Sequence, residues 1–236
     1  MKPKRIFKSP PKRFQPKGLD VLYEDHDLLV VEKRNGILLV SSARDREKTA
    51  YYLLGDYVRK GNPKSKNRIL IVHRMDRESS GILVFAKNEQ AKRILQGQWQ
   101  SYKKTCTVVV RGRLPEKKGI ITSHLAENSI HKMYSVNDPA KGKFAQTAYT
   151  VVKESENYSF LEVELLTDRK NQVRVQFADK GCPVAGDKKY GVKDSSIKRL
   201  TLHMNSLTMI HPVTKQAMTF DTKVPGYFYS LLSSRG

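Results

Sequence analysis

One short segment concentrates ionisable side chains between two apolar runs. Residues 72–81 read VHRMDRESSG, with Asp76 placed between Arg74 and Arg77. Nearby cations favour the charged form of a carboxylate, so Asp76 is expected to be ionised. An ionised carboxylate can serve as a nucleophile or a base, but not as a general acid. From spacing alone, however, an ordinary surface turn with salt bridges explains the segment more simply.

Metal and cofactor chemistry have weaker support in the sequence. The two cysteines, Cys106 and Cys182, are far apart and form no Cys-x-x-Cys motif. Four histidines outside residues 72–81 lack the spacing of metal ligands: His124, His131, His203 and His211. We therefore expect no metal, no cofactor and no disulfide framework, and a reducing compartment.

The elements that must position Asp76 follow from hydrophobic periodicity. Leu28–Lys33 and Gly36–Ser41 resemble two strands joined by a hairpin at Arg34 and Asn35. Further strands are predicted at 69–72, 81–86, 105–111, 119–124, 145–152, 160–166 and 200–209, and helices at 48–59, 90–100 and 171–180. This order predicts an α+β fold, with a mixed, largely antiparallel sheet and flanking helices.

The first 18 residues differ in composition from the rest of the chain. They contain seven Lys or Arg, four Pro and no acid. Such a segment buries too little apolar surface to offset the entropy of ordering, so a flexible basic arm is predicted. It could tether RNA electrostatically or contact nothing specific. Residues 19–236 are predicted to form one catalytic domain.

The charge balance indicates a polyanionic partner. Lys and Arg number 44 against 23 Asp and Glu, which gives a formal net charge of +21. An excess of this size is typical of proteins that bind nucleic acid or an anionic membrane surface. No apolar run is long enough to span a membrane, and the arm is too rich in proline for an anchoring helix. With no secretory signal recognised, the expected location is the cytoplasm, without membrane association.

Three ordered blocks resemble one known family. HRMDRESSGILVFAK is similar to the His-Arg-Leu-Asp segment of the RluA-like RNA pseudouridine synthases, which leads through Thr-Ser-Gly into a strand. LLTDRKNQVRVQFADKGCPVAGDKKYG resembles the family's Thr-Gly-Arg-x-His-Gln-Ile-Arg block and the Gly-Asp-x-x-Tyr-Gly turn that follows it. RLTLHMNSLTMIHP is similar to the Arg-Leu-x-Leu-His strand before His-Pro. The likeness covers roughly residues 20–225.

The resemblance implies roles for individual residues. Asp76 matches the family's catalytic aspartate, and Arg74 matches the arginine that enters the space vacated by the flipped nucleotide. Arg174 matches an arginine that forms an ion pair with the catalytic carboxylate. On a helix, Arg174 would lie at the margin of an apolar face, where it can reach a neighbouring loop. His73, Arg77 and Arg169 are then expected to contribute RNA contacts.

The sequence departs from the family pattern at several positions. Cys106 stands where family members carry a tyrosine that stacks on the target base, so either Tyr102 or another aromatic residue supplies the stacking face, or the base is held less well. A cysteine without a metal partner is more often a small buried apolar residue than a reactive thiol. Asp168 and Asn171 replace the glycine and the histidine of the second block. Asp168 either caps the following helix or, in place of glycine, indicates a changed backbone.

The expected function is the isomerisation of specific uridines in structured RNA, either ribosomal or transfer RNA, by a monomeric protein. The rival hypothesis is an RNA-binding protein of the same fold with impaired catalysis, which the changes at Cys106 and Asp168 suggest. A zinc-dependent base deaminase would need a His-x-Glu and a Cys-x-x-Cys, and the sequence contains neither. The route of catalysis and the target uridine stay open.

Overall fold

The structure is a computed structural model that describes residues 10–41, 45–60, 62, 64–192 and 196–233. The chain forms two compact units. The first unit spans Met1–Ser101 and Met209–Phe220, and the second spans Tyr102–Thr208 and Asp221–Gly236. Half of the predicted basic arm, residues 1–9, lies outside the described residues. Of its remainder, Lys12–Phe14 form a 3-10 turn, and the Gln15 side chain accepts a hydrogen bond from Val21 N.

In the residues that the structure describes, the first unit contains two helices and a group of antiparallel strands. Its elements before residue 102 are β1 (Leu19–Glu24), β2 (Leu28–Lys33), α1 (Ala50–Arg59), β3 (Leu70–Ile71), β4 (Ser80–Ala86) and α2 (Glu89–Gln98). Strand β2 pairs with β1 on one edge and with β4 on the other, and β3 pairs with β4. Leu54 and Val58 of α1 pack into a core with apolar side chains of these strands. This packing fixes the strand end from which residues 72–79 project.

One predicted strand is wrong. Residues 36–41 form no strand, and the hairpin partner of β2 is β1 rather than this segment. Both edges of β2 are already occupied by β1 and β4. The carbonyls of Leu38 and Leu39 instead accept hydrogen bonds from the first turn of α1, at Ala50 N and Tyr51 N. An apolar segment that satisfies its backbone in this way caps a helix and adds nothing to a sheet.

The second unit is a larger antiparallel array with one helix against it and another near the C-terminus. Its strands follow the order β10, β5, β9, β8, β6, β7. The elements are β5 (Lys103–Arg111), β6 (Lys118–Glu127), β7 (Met133–Val136), β8 (Lys143–Glu154), β9 (Tyr158–Leu165), α3 (Gln172–Asp179), β10 (Leu202–Ile210), β11 (Ala217–Asp221) and α4 (Tyr227–Ser233). Strand β10 begins in this unit, and most of β11 belongs to the first unit.

The α+β class predicted from the sequence is confirmed. Strands β1, β7 and β11 and helix α4 were not predicted, and each is only four to seven residues long. In the described part of the chain, no helix is both long and apolar enough to cross a membrane.

Candidate active site

The loop that carries Asp76 is anchored at its start by a buried histidine. His73 Nε2 accepts a hydrogen bond of 3.0 Å from Val84 N in β4, and its ring stacks on Trp99 with 4.0 Å between the ring centroids. His73 is only 6% exposed, whereas Arg74, Arg77 and Glu78 are exposed. These contacts make His73 an anchor for the loop, and its contact with RNA stays a prediction.

A buried lysine anchors the other end of the loop. Lys33, the last residue of β2, is fully buried, and its Nζ donates hydrogen bonds to Ser79 O at 2.7 Å and to Arg77 O at 3.3 Å. Further bonds go to Ile37 O at 3.0 Å and Arg34 O at 3.2 Å. Burial lowers the pKa of Lys33 to about 8, although the charges of Asp76 and Glu78 act to raise it. The ammonium group therefore ties the backbone on the C-terminal side of Asp76 to β2.

The residues after Lys33 complete a cradle for this loop. Gly36 N donates to Arg77 O at 2.8 Å, and Arg77 Nε donates back to Gly36 O at 3.2 Å. The Asn35 side-chain amide donates to Glu78 O. Gly36 has a φ of +92°, which lies in the region that favours glycine. The carbonyls of three successive residues, 77 to 79, thus find donors in residues 33–36, while Asp76 stays half-buried at the tip.

In the second unit, Arg174 forms a buried two-pronged ion pair. Its Nε lies 2.7 Å from Asp187 Oδ2, and one terminal nitrogen lies 2.8 Å from Asp187 Oδ1. Arg174 is 4% exposed and Asp187 is 2% exposed. Burial opposes the ionisation of Asp187, but the bonds and charge of Arg174, with amide bonds from Lys189 and Tyr190, outweigh it and lower the pKa of Asp187.

The turn that supplies Asp187 can adopt its shape only with glycine at one position. Gly186 has a φ of +75°, and a Cβ placed there would lie 2.2 Å from Arg199 O. The amides of Lys189 and Tyr190 donate to Asp187 Oδ1. The Tyr190 ring lies 5.3 Å from the Arg174 guanidinium carbon. This turn therefore holds both partners of the ion pair.

The prediction that Asp168 caps α3 is wrong. The helix begins at Gln172, and Asn171 occupies the cap position with a φ of +52° and no side-chain cap bond. The Gln172 side-chain oxygen accepts from Arg169 N and Thr167 Oγ1, so it closes the turn before the helix. Asp168 contributes instead to the electrostatics of the buried Lys104 and Cys106.

Cys106 is a buried thiol in the middle of β5. Burial and the charge of Asp168 raise its pKa to about 12, although Lys104 acts to lower it. A thiol in this environment stays protonated at neutral pH and is a poor nucleophile. Tyr102 is 5% exposed, and burial raises its pKa. The structure thus agrees with the small apolar interpretation of Cys106, and base stacking by Tyr102 stays a prediction.

Arg169 lies half-buried just before α3. Its Nε donates to Phe144 O at 2.9 Å, which fixes the start of its side chain on β8. Its contact with RNA also stays a prediction.

One group of side chains in the described residues has the composition of a metal site. Donor atoms of Asp25, Asp27 and His211 lie within 4.8 Å of one another. His211 Nδ1, however, accepts from Val213 N and Thr214 N, and His211 Nε2 bonds to Asp25 Oδ2 at 2.8 Å. Because both ring nitrogens are engaged, this group is a hydrogen-bonded structural cluster that links two turns of the first unit.

The predicted site residues divide between the two units. His73, Arg74, Asp76 and Arg77 lie in the first unit, and Tyr102, Cys106, Arg169 and Arg174 lie in the second. The ion pair predicted between Arg174 and the catalytic carboxylate stays a prediction. Sequence reasoning missed Lys33 and treated Asp187 as part of a structural turn. The sequence signals that could have identified them are a lysine at the end of an apolar strand and an aspartate between two close glycines.

Comparison with known proteins identifies the family. A family model described as RNA pseudouridylate synthase matches residues 27–179. The chain is 32% identical over 211 residues to an uncharacterized RNA pseudouridine synthase of Bacillus subtilis, covering 88% of this chain and 69% of the relative. It is 31% identical over 225 residues to ribosomal large subunit pseudouridine synthase D of Zymomonas mobilis, with coverage of 88% and 69%.

A solved structure supports the same fold. The human protein called RNA pseudouridylate synthase domain containing 4 superposes with a TM-score of 0.74 at 19% identity, covering 90% of this chain and 91% of that one. The family-model match spans more than half of the chain and includes the Asp76 loop and α3. The chain therefore belongs to the RNA pseudouridylate synthase family, a family of isomerases.

Proposed function

We propose that this protein converts specific uridines in structured RNA to pseudouridine, with Asp76 as the catalytic carboxylate. The observation that carries this proposal is the construction of the Asp76 loop. His73 and Lys33 fix its two ends with buried contacts, while Asp76 is half-buried and Arg74 is exposed at the tip. A rigid loop that holds a carboxylate and an exposed guanidinium group two residues apart is suited to chemistry on a bound polymer.

The reaction needs no oxidant, metal or nucleotide cofactor. The N1–C1′ bond of the uridine breaks, the base rotates, and a C5–C1′ bond forms. The proton lost from C5 is balanced by one gained at N1, so the nucleotide keeps its composition. An ionised Asp76 can attack the sugar or the base, or remove the 2′ proton.

The target uridine must first leave its base stack. Unstacking costs a few kcal/mol, and a side chain that fills the gap offsets part of that cost. Arg74 is exposed two residues before Asp76, so we assign it this role. His73, Arg77 and Arg169 are proposed as additional RNA contacts, with Arg174 positioning the carboxylate.

Ribosomal RNA is the first substrate class to test. Two similar proteins, from Zymomonas mobilis and Borreliella burgdorferi, are named ribosomal large subunit pseudouridine synthase D. Transfer RNA is the second class, since a net charge of +21 favours any polyanionic strand.

The test is mass-spectrometric mapping of pseudouridine in total RNA from cells that lack the protein. The cells are complemented with wild type, with Asp76→Asn, or with Glu78→Gln as a matched control in the same loop. We expect a site that disappears in the deletion and returns with wild type and Glu78→Gln, but not with Asp76→Asn. Restoration by Asp76→Asn would exclude Asp76 as the catalytic group.

A second candidate function is RNA binding with impaired catalysis. The buried thiol of Cys106 favours it, because this position offers no ring for stacking. Tight RNA binding by purified protein, combined with an unchanged pseudouridine map in the deletion strain, would support this candidate instead.

A further inference from the structure

A cavity of about 410 Å³ lies in the second unit, on the side of α4. One wall is formed by Ser196–Arg199 and the other by Tyr227, Ser230 and Leu231. Its volume falls within the roughly 300–1,000 Å³ that is typical of ligand-binding clefts. Sequence analysis assigned no role to either wall.

The cavity is positively charged. Lys198 and Arg199 line it and are exposed, and none of its described lining residues is an acid. Tyr227 adds no negative charge at neutral pH, because burial raises its pKa to about 12 even though Arg199 acts to lower it. Two cations among the described lining residues favour an anion as the ligand.

The arginine in this wall is held in place by the opposite wall. The Arg199 guanidinium carbon lies 6.0 Å from the centre of the Tyr227 ring, in the range of a cation–π contact. The Tyr227 hydroxyl donates to Leu200 O at 2.9 Å, which fixes the ring. Because less conformational entropy is lost when a held side chain binds, this arrangement favours binding.

The same backbone connects the cavity to the turn that carries Asp187. Arg199 O lies against Gly186, so closely that no Cβ fits between them. Thr201 N donates to Ala185 O at 3.0 Å, and Thr201 Oγ1 donates to both Val109 O and Ala185 O. The Lys198–Arg199 wall is therefore rigidly joined to the segment that positions Arg174.

We infer that this cavity binds a backbone phosphate of the RNA that carries the target uridine, through Lys198 and Arg199. The inference rests on the proposed function for its choice of RNA. Phosphate contacts set the register of a protein on nucleic acid without reading sequence. A phosphate held here would fix the strand relative to the Arg174–Asp187 pair.

The test measures RNA affinity of the full-length protein as a function of salt. A Lys198→Gln/Arg199→Gln variant is compared with wild type on RNA that contains the mapped site. Each lost phosphate contact lowers the slope of log K against log salt by about 0.7 to 0.9, so loss of the one phosphate proposed here is expected to lower the slope by about that amount. Lys118→Gln/Lys153→Gln is the matched control, because it removes the same charge from exposed positions of β6 and β8 in the same unit.

A slope equal to that of the control pair would overturn the inference. Because Arg199 also packs on Tyr227, the single Lys198→Gln variant is included, with a smaller expected decrease than the double variant because Arg199 can still contact the phosphate. Uridine 5′-monophosphate distinguishes the source of the phosphate. If wild type binds it as tightly as RNA and the double variant loses only this binding, the cavity is a site for free nucleotides and the inference is wrong.

Pseudouridine formation by the same variants separates this inference from the proposed function. We expect the double variant to need about tenfold more RNA for half-maximal rate, with a nearly unchanged rate at saturation, as for a group that binds ground and transition states equally. If wild type forms no pseudouridine, the proposed function fails, whatever the salt slopes show. If wild type is active and the double variant binds like the control, only the inference fails.

Discussion

Lys33 in the first unit and Arg174 in the second are deeply buried cations beside predicted site segments, and their charges are neutralised differently. Lys33 in the first unit is fully buried, and its described hydrogen bonds all go to backbone carbonyls. Arg174 in the second unit is 4% exposed and bonds to the carboxylate of Asp187 through two nitrogens.

The difference shows how each cation serves its segment. Carbonyl dipoles stabilise an ammonium group less than a carboxylate would, so burial lowers the pKa of Lys33 to about 8. Lys33 hydrogen-bonds directly to the backbone carbonyls of residues 77 and 79 and so fixes their position. Arg174 fixes a side chain, Asp187, whose own pKa is lowered by the pair. The first unit thus positions a loop, and the second orients a charged group.

Breaking the ion pair should have the largest effect. Arg174→Met leaves the carboxylate of Asp187 buried without its main partner, and this should lower the free energy of unfolding by about 3–5 kcal/mol. Denaturant unfolding measures it. The double variant Arg174→Met/Asp187→Asn should regain much of the loss, because no uncompensated charge remains and the asparagine oxygen can still accept from the amides of Lys189 and Tyr190. If the double variant is as unstable as the single one, the pair is not the cause.

Replacing Lys33 should lower the free energy of unfolding by less than Arg174→Met does. Lys33→Met leaves the carbonyls of Ile37 and Ser79 without this donor, which should lower the free energy of unfolding by about 1–3 kcal/mol. The substitution also removes a buried charge, which offsets part of this loss. Lys92→Met, which changes a half-buried lysine on α2, is the control and should be nearly neutral. A loss equal to that of Arg174→Met would contradict the contrast between the two cations.

The pH dependence of stability tests the same contrast. Since the folded pKa of Lys33 is about 8 and its unfolded value is 10.5, the folded protein releases this proton first as pH rises. Stability therefore increases with pH across that window, by about 2 kcal/mol between about pH 8 and about pH 9.5. Subtracting the curve of Lys33→Met isolates this part. Parallel curves for the two proteins would show that Lys33 is not the titrating group.

The smallest effect is expected at the cradle glycine. Gly36→Ala keeps the space for a methyl group, since nothing lies within 4 Å, but its φ of +92° is unfavourable for alanine. We expect a loss of about 1–2 kcal/mol in stability. Gly55→Ala in α1, where no φ penalty applies, should stabilise slightly. Equal effects at the two glycines would argue against a strained turn at Gly36.

The sequence contained more information about chemistry than about local structure. The spacing around Asp76 and the ordered blocks predicted the family, which the comparisons confirm. Residues 36–41, in contrast, have the apolar pattern of a strand but form a loop, because both edges of β2 are occupied by strands that come from elsewhere in the chain. Asp168 has a capping residue's chemistry, yet the side chain of Gln172 closes that turn.

The sequence by itself determined the α+β class, the approximate strands and helices, the basic character and the motif around Asp76, because these depend on residues close together in the chain. Only the tertiary structure decided which groups meet over long separations. Lys33 reaches Ser79 across 46 residues, and Arg174 reaches Asp187 across 13. Such partners are selected by packing and by the need to satisfy buried polar groups, and these constraints exist only once the chain is folded.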